Sequence, residues 1–271
     1  MTKFITRRRA LGTLGGVGVA AFLAACGSDT KTSSTTLGDT ADPTGGSGTT
    51  SGTDSESTGS SSSSCDTIPS ETGGPFPGDG TNGPNARTLE GAVREDIRSS
   101  VGGPSGSVDG VECRLELTVV DAATCAPRAG AAVYAWHCDA IGRYSMYADG
   151  VTDENWLRGI GVADDSGVVR FTTVFPGCYP GRWPHVHFEV FDDVAAATGS
   201  ANPIATSQLA FPQAACESVY SDDRYGDSAS SLGQLSLESD GVFADDGAAQ
   251  QLATMTGSVA DGYGAALRIP V

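Results

Sequence analysis

The sequence predicts a mainly β domain, an antiparallel β-sandwich, over residues 65–271. Several short segments rich in β-branched and aromatic residues are separated by clusters of Gly, Pro and Asp, the pattern of strands joined by turns. No long amphipathic helical stretch competes with them, and the chain shows no internal repeat. Short strands with turn-rich connections favour two packed sheets.

Five segments carry the strand predictions. In the first of them, Leu115, Leu117 and Val119 alternate with other positions, so they share one face of a strand. The predicted strands cover residues 113–121, 131–139, 167–175, 185–191 and 204–211. The best helix candidate is short and covers residues 212–220.

The N-terminal stretch has the features of an export signal. Consecutive arginines, Arg7 to Arg9, precede an apolar run rich in Gly and Ala that is too short for a membrane span. The run ends in LAAC. This pattern resembles a twin-arginine signal that ends in a bacterial lipobox, so residues 1–26 are a predicted signal peptide and Cys26 is the predicted lipidation site. A plain secretion signal with a chance cysteine is the alternative.

Residues 27–64 consist almost entirely of Ser, Thr, Gly and Asp. Because no apolar periodicity offsets the entropy of ordering, we predict a disordered tether between the lipid and the domain. The protein is then exported by the twin-arginine route, and it is either anchored on the outer face of the cytoplasmic membrane or secreted. Membrane contact is expected only through the lipid anchor on Cys26.

The chain is acidic, with a formal net charge of −17. This balance disfavours nucleic acid and anionic membrane surfaces as partners, because both repel a negative protein. The net charge does not restrict which small neutral substrate the protein could bind.

Cysteine content agrees with export. Apart from Cys26, six cysteines remain, and an even number in an exported domain indicates disulfides. Cys125 and Cys138 flank a predicted strand and are one plausible pair, although many pairings stay open. No CxxC spacing occurs, which disfavours a zinc site. The six are Cys65, Cys113, Cys125, Cys138, Cys178 and Cys216.

Two of the three histidines lie one residue apart, in a predicted strand. His185 and His187 therefore share a face, and one metal ion can bind both. Alone this signal is weak, because two histidines on a strand often form only a polar surface. Tyr179, on the adjoining Gly- and Pro-rich turn, can reach the same point. Its phenol has an ordinary pKa of about 10, so only a strong Lewis acid such as ferric iron would keep it deprotonated.

The segment FPGCYPGRWPHVHFEV resembles the metal-binding segment of the intradiol ring-cleavage dioxygenases. That family binds one Fe(III) through two tyrosines and two histidines, which implies Tyr179, His185 and His187 here. WHCDAIGRY resembles the segment that supplies the first tyrosine, which implies Tyr144, with Tyr147 as a lower-ranked rival. Three further segments resemble the family: CDTIPSETGGPFPGDG, VREDIRSS and TSQLAFP.

The resemblance also implies a reaction. The partners would be O2 and a small catecholic aromatic, which is opened between its two hydroxyl carbons to a cis,cis-muconate-type product. Tyr179 would leave the metal when the catechol binds. Arg182 would stabilise carbanion character on the substrate ring, and Gln208 would lie near the substrate. A surface ion pair is the alternative role for Arg182, and a structural hydrogen bond is the alternative for Gln208. The family leaves the position of His137 off the metal.

Two departures from the family limit what can be carried over. Only six residues separate Tyr179 from His185, fewer than in the catechol and protocatechuate enzymes, so the substrate stays open among catechol, protocatechuate, hydroxyquinol and larger catechols. The N-terminal helical segment of the catechol-type enzymes is replaced by the tether, so the oligomeric state stays open too. Two rival functions are a surface-anchored β-sandwich binding module without dioxygenase activity and a copper or Fe(II) oxygenase. The latter would need a third histidine or a carboxylate.

Overall fold

A computed structural model describes residues 65–271, and it confirms a mainly β fold of two packed sheets. The predicted signal peptide, the tether and Cys26 lie outside the described residues. Within the described part of the chain, none of the helices is long and apolar enough to cross a membrane.

The described residues form eight strands in two four-stranded sheets. In chain order the strands are β1 Glu112–Val120, β2 Ala132–Trp136, β3 Arg158–Val162, β4 Val168–Val174, β5 His185–Phe191, β6 Ala205–Ala210, β7 Thr254–Ser258 and β8 Gly262–Pro270. The first sheet has the order β4-β1-β8-β7, and the second sheet has the order β3-β2-β5-β6. The pairs are antiparallel except for β1 and β8, which run parallel.

Helices are short and lie mostly after β5. They are α1 Val194–Thr198, α2 Gln213–Val219 and α3 Ser228–Leu232, with 3-10 turns at Asp223–Tyr225, Leu237–Ser239 and Phe243–Asp245. The helix predicted at residues 212–220 is confirmed as α2. α1 connects β5 to β6, and the other elements connect β6 to β7 and contribute buried residues to the main core.

All five predicted strands are present, but β3, β7 and β8 are absent from the predictions. β3 was hidden by its glycines, which have low strand propensity. Here the glycines allow close packing, because a Cβ on Gly159 would lie 2.5 Å from Ile97 and one on Gly161 would lie 2.4 Å from Val169. β7 has no fully buried residue, so it lacks the apolar alternation that marks a strand.

The main core lies between the two sheets. Leu115 and Leu117 of β1 belong to the same buried cluster as Val186 and Phe188 of β5. A second cluster covers the other face of the second sheet, around Trp136. The second sheet is therefore packed on both faces, which places the side chains of its outer face in an apolar environment.

The disulfide joins Cys65 to Cys125, with Cα atoms 5.6 Å apart, so the plausible pair Cys125–Cys138 is wrong. Residues that flank one strand lie at its opposite ends, and the five residues of β2 span about 16 Å. Bridged Cα atoms lie within about 7 Å of each other. The remaining cysteines of the described region are buried and unpaired: Cys113, Cys138, Cys178 and Cys216.

Candidate metal centre

Four side chains predicted as ligands converge at one point. The Tyr144 Oη atom lies 3.2 Å from Tyr179 Oη and 3.3 Å from His185 Nε2. Tyr179 Oη lies 3.3 Å from His185 Nε2, which in turn lies 3.1 Å from His187 Nε2. The structure therefore brings together two phenol oxygens and two imidazole nitrogens from three separate parts of the chain.

Strand β5 fixes the two imidazoles on the outer face of the second sheet. The His187 ring stacks on Trp136 of the neighbouring strand, with ring centroids 5.0 Å apart and an interplanar angle of 2°. His185 Nδ1 lies 2.5 Å from the Trp183 carbonyl oxygen and donates its proton there, since a carbonyl can only accept. This tautomer leaves the lone pair of His185 Nε2 directed at the tyrosines, as metal binding requires.

Tyr144 follows a tight turn after β2. The Asp139 carboxylate accepts from the backbone N–H groups of Ile141 (3.1 Å) and Arg143 (2.8 Å), and this turn directs Tyr144 inward, where it is 3% exposed. The rival Tyr147 points elsewhere. Its hydroxyl donates to Asn82 and accepts from the backbone N–H of Gly78.

The N-terminal part of the domain covers the site; we call residues 65–80 the covering segment. Gly74 has φ +68°, and a Cβ there would lie 3.1 Å from His187 Cε1, so only glycine allows the backbone this close. The ring of Phe76 lies 5.1 Å from that of Tyr144 and is 36% exposed. Phe76 therefore forms an apolar edge between the tyrosine and solvent.

Arg182 lies beside the four side chains and is held by two partners. Its Nε donates to Asp240 Oδ2 at 3.0 Å, and its Nη2 donates to Gln208 Oε1 at 2.6 Å. Gln208 is fully buried, and its amide nitrogen donates to the Thr72 carbonyl of the covering segment at 2.7 Å. Both ends of this amide are thus paired within the protein, and a direct role of Gln208 in chemistry stays a prediction.

His137 is buried away from the convergence point. Its Nδ1 lies 2.7 Å from the Cys138 carbonyl, and its Nε2 lies 2.7 Å from Thr173 Oγ1. Both nitrogens are paired. Trp183 is buried as well, and its indole donates to the Phe211 carbonyl.

Burial keeps the four converging side chains neutral when no cation is bound. It lowers the pKa of His185 to about 3 and that of His187 well below its ordinary value, and the positive charge of Arg182 lowers both further. Burial also raises the pKa of both Tyr144 and Tyr179 well above the ordinary value. A multivalent cation would offset this cost by attracting the phenolate forms.

The donor set fits a ferric ion. Four ligands about 2 Å from a common centre lie about 3.3 Å apart in a tetrahedron, close to the separations observed here. Imidazole nitrogens with hard phenolate oxygens suit iron. Among residues 65–271, His, Cys, Asp and Glu side chains form no group of three or more placed for a metal. The two histidines therefore depend on the tyrosines to complete a site.

Asp240 and Thr72 are absent from the sequence-based predictions although both hold residues beside the site. Asp240 lies in an irregular stretch 58 residues after Arg182, with no motif around it. Thr72 acts through its carbonyl oxygen, which any residue type could supply. Only a resemblance to a known family marks the covering segment in the sequence.

Comparison with known proteins agrees with this geometry. A family model described as "Dioxygenase" matches residues 90–197, a range that contains all four converging residues. The solved intradiol ring-cleavage dioxygenase from Tetranychus urticae is 26% identical with a TM-score of 0.58, over 76% of this chain and 94% of that one. A second solved dioxygenase is 25% identical with a TM-score of 0.59 at the same coverage. Curated protein sequences give no significant match.

The fold, the converging side chains and these similarities define a dioxygenase. More narrowly, residues 90–197 match the dioxygenase family model, and the chain is similar in sequence and fold to a solved intradiol ring-cleavage dioxygenase, a ring-cleaving oxidoreductase. The family and the enzyme class predicted from the sequence are thereby confirmed.

Proposed function

We propose that the protein is a non-haem Fe(III) enzyme that cleaves a catecholic aromatic between its two hydroxyl carbons with O2, giving a cis,cis-muconate-type diacid. Tyr144, Tyr179, His185 and His187 would hold one ferric ion per site. The observation that carries the proposal is the convergence of the two phenol oxygens and two imidazole nitrogens within 3.1–3.3 Å.

A bound ferric ion would supply Lewis acidity that holds both tyrosines as phenolates and polarises the catechol. Two phenolates offset two of its three positive charges, which favours the ferric state over the ferrous one. Trp136 fixes the His187 ring by stacking, and the Trp183 carbonyl fixes the tautomer of His185. These contacts pre-organise the nitrogen ligands.

The two tyrosines have different surroundings, which favours different roles. Tyr144 is buried, whereas Tyr179 is half-buried on the turn between β4 and β5. The backbone of this turn is closed by a bond from the Arg182 N–H to the Tyr179 carbonyl at 3.3 Å. Tyr179 is therefore the ligand with room to move, and its Oη atom would take up one proton from the arriving catechol.

Arg182 would stabilise negative charge that develops on the substrate ring. Its side chain is 18% exposed, whereas that of its partner Asp240 is fully buried, so Arg182 is not sealed off from solvent. A fixed guanidinium in a site of low dielectric stabilises an anionic transition state more than a mobile one does.

An oxygen-electrode screen with iron-loaded protein tests the reaction. The panel contains catechol, protocatechuate, hydroxyquinol and larger plant-type catechols, with absorption spectra of the products. We expect one O2 consumed per ring and an intradiol product for at least one substrate, and no uptake by metal-free protein. Absence of O2 uptake across the panel would favour a binding module without dioxygenase activity.

We also propose that the protein acts outside the cytoplasmic membrane, through the export signal in residues 1–26 and lipidation at Cys26. The support is the sequence pattern alone. Labelling with a radioactive fatty acid should mark the wild-type chain and not Cys26→Ser. An unlabelled wild-type chain in the culture medium would instead indicate plain secretion.

A further inference from the structure

Arg182 is held on two sides by buried partners. Asp240 has a side chain with 0% exposure and binds the guanidinium through Nε, while Gln208 binds it through Nη2. Among residues 65–271, Nη1 has no hydrogen-bond partner. The guanidinium is thus fixed at two nitrogens, and the third is left for a ligand.

Asp240 is itself fixed by the backbone. Its Oδ1 accepts from the N–H groups of Val242 (2.8 Å) and Phe243 (3.1 Å), and its Oδ2 accepts from Trp183 N–H at 2.6 Å. Burial alone would raise its pKa, but these three donors and Arg182 bring the pKa below the ordinary value. The carboxylate is therefore ionised and cannot rotate without losing several bonds.

Asp240 also contacts the backbone that orients a predicted metal ligand. Trp183 donates its N–H to Asp240, and its carbonyl accepts the proton of His185 Nδ1. One carboxylate thus holds both the arginine beside the site and the residue that sets the tautomer of His185.

We propose that Asp240 is the positioning residue of this site: it aims Arg182 at the substrate ring. The proposal rests on the proposed function of Arg182. A purely structural role would need only the two bonds to Val242 and Phe243, which close a local turn. The further bonds to Arg182 and Trp183 reach 58 and 57 residues back along the chain and end beside the candidate metal centre.

The test compares Asp240→Asn, Arg182→Gln and the double variant in the iron-loaded full chain. Asn keeps the shape of Asp but cannot accept on both ends. We expect near wild-type iron content in all three, with kcat lower by about 10- to 100-fold in Asp240→Asn. We expect a loss of about 100-fold or more in Arg182→Gln. If Asp240 acts through Arg182, the double variant should match Arg182→Gln within about twofold.

Asp164→Asn is the matched control. Asp164 lies on the turn between β3 and β4, where it also accepts two backbone N–H bonds and pairs with an arginine, Arg170 of β4, but in an exposed position. Its kcat should equal that of the wild type. The positioning role is overturned if Asp240→Asn lowers kcat by the same factor in the wild type and in Arg182→Gln. It is also overturned if Asp240→Asn leaves kcat unchanged.

A readout without turnover separates this proposal from the reaction. In metal-free protein, NMR exchange of the Arg182 Nε–H with water should be slow in the wild type and in Asp164→Asn, and fast in Asp240→Asn. Fast exchange in the wild type would contradict the proposal even if the enzyme turns over. Slow exchange in the wild type together with no O2 uptake would contradict the proposed reaction. It would still support the conclusion that Asp240 holds Arg182.

Discussion

The two sheets of the domain differ in what covers their outer faces. In the first sheet, β1 alternates between buried and more exposed residues along most of its length, and its outer face meets solvent. In the second sheet, every residue of β2 and β5 is buried. The covering segment and the turn carrying Tyr144 pack over that outer face, and the candidate metal centre lies there.

This difference shows why the site is on the second sheet. On the first sheet, outward histidines would be hydrated and would bind a metal in competition with water. On the second sheet, burial makes the imidazoles and phenols neutral and fixes them by packing, so a cation of high charge is the partner that best suits them. The covered face therefore acts as a second core with a polar centre.

The largest effect on stability should come from truncating the outer face of the second sheet. Phe191 is fully buried there, and Arg87 lies 4.5 Å above its ring. Phe191→Ala should lower the free energy of unfolding by about 3–5 kcal/mol, as for any core phenylalanine. Urea denaturation followed by circular dichroism measures this loss.

Two variants on the first sheet complete the test. Phe171 faces the core between the sheets, so Phe171→Ala should lower the free energy of unfolding about as much as Phe191→Ala does. Glu116→Ala on the solvent-exposed face should change stability by less than about 0.5 kcal/mol. If Phe191→Ala behaved like Glu116→Ala, the outer face of the second sheet would not be a core.

The disulfide should contribute the next largest effect. Cys65–Cys125 ties the start of the covering segment to the turn after β1 and closes a separation of 60 residues. Replacing both cysteines with serine should lower the free energy of unfolding by about 2–4 kcal/mol, because the unfolded chain gains conformational entropy. Amide hydrogen exchange in residues 66–80 should also be faster in this double variant. Wild-type protein treated with a reductant should show the same loss of stability and the same faster exchange. An unchanged unfolding midpoint would mean that packing alone holds the segment.

A smaller effect should appear in the dependence of stability on pH. His137 links the second sheet to Thr173 of β4, and burial lowers its pKa from 6.5 to about 4. The unfolded chain therefore binds a proton that the folded chain does not, and stability falls as the pH drops from about 6.5 to about 4.

The predicted loss from His137 is about 2 kcal/mol between about pH 7.5 and pH 5. The glutamine in His137→Gln cannot titrate. Over the same pH range, the free energy of unfolding of this variant should therefore fall by about 2 kcal/mol less than that of the wild type. The comparison uses denaturation at several pH values for both proteins. Parallel curves would show that His137 is protonated equally easily in both states.

The sequence predicted the strands with clear patterns and missed those without them. β1 and β5 carry alternating or β-branched residues, so their existence follows from side-chain periodicity. β3 was missed because its glycines serve close packing against Ile97 and Val169, a tertiary requirement that no local pattern records. The parallel pairing of β8 with β1 joins distant parts of the chain, which periodicity cannot predict either.

The site was predictable as far as its motif extends. His185 and His187 follow from strand alternation, Tyr179 from the adjoining turn as well as from resemblance to a family, and Tyr144 from that resemblance alone. The structure brings all four together. Asp240 could not be found in this way, because its role depends on how an irregular segment packs after the sheets have formed.

We infer that Tyr144, and not the nearby Tyr147, completes a ferric site on the covered sheet. The most direct measurement is iron content and visible absorption of the purified wild type, Tyr144→Phe and Tyr147→Phe. We predict one iron per chain and a tyrosinate-to-iron band in the wild type and in Tyr147→Phe. In Tyr144→Phe, either the metal should be lost or the band should be weaker and shifted, because only the Tyr179 phenolate remains. A colourless wild type with stoichiometric zinc or copper, or a band lost only in Tyr147→Phe, would contradict it.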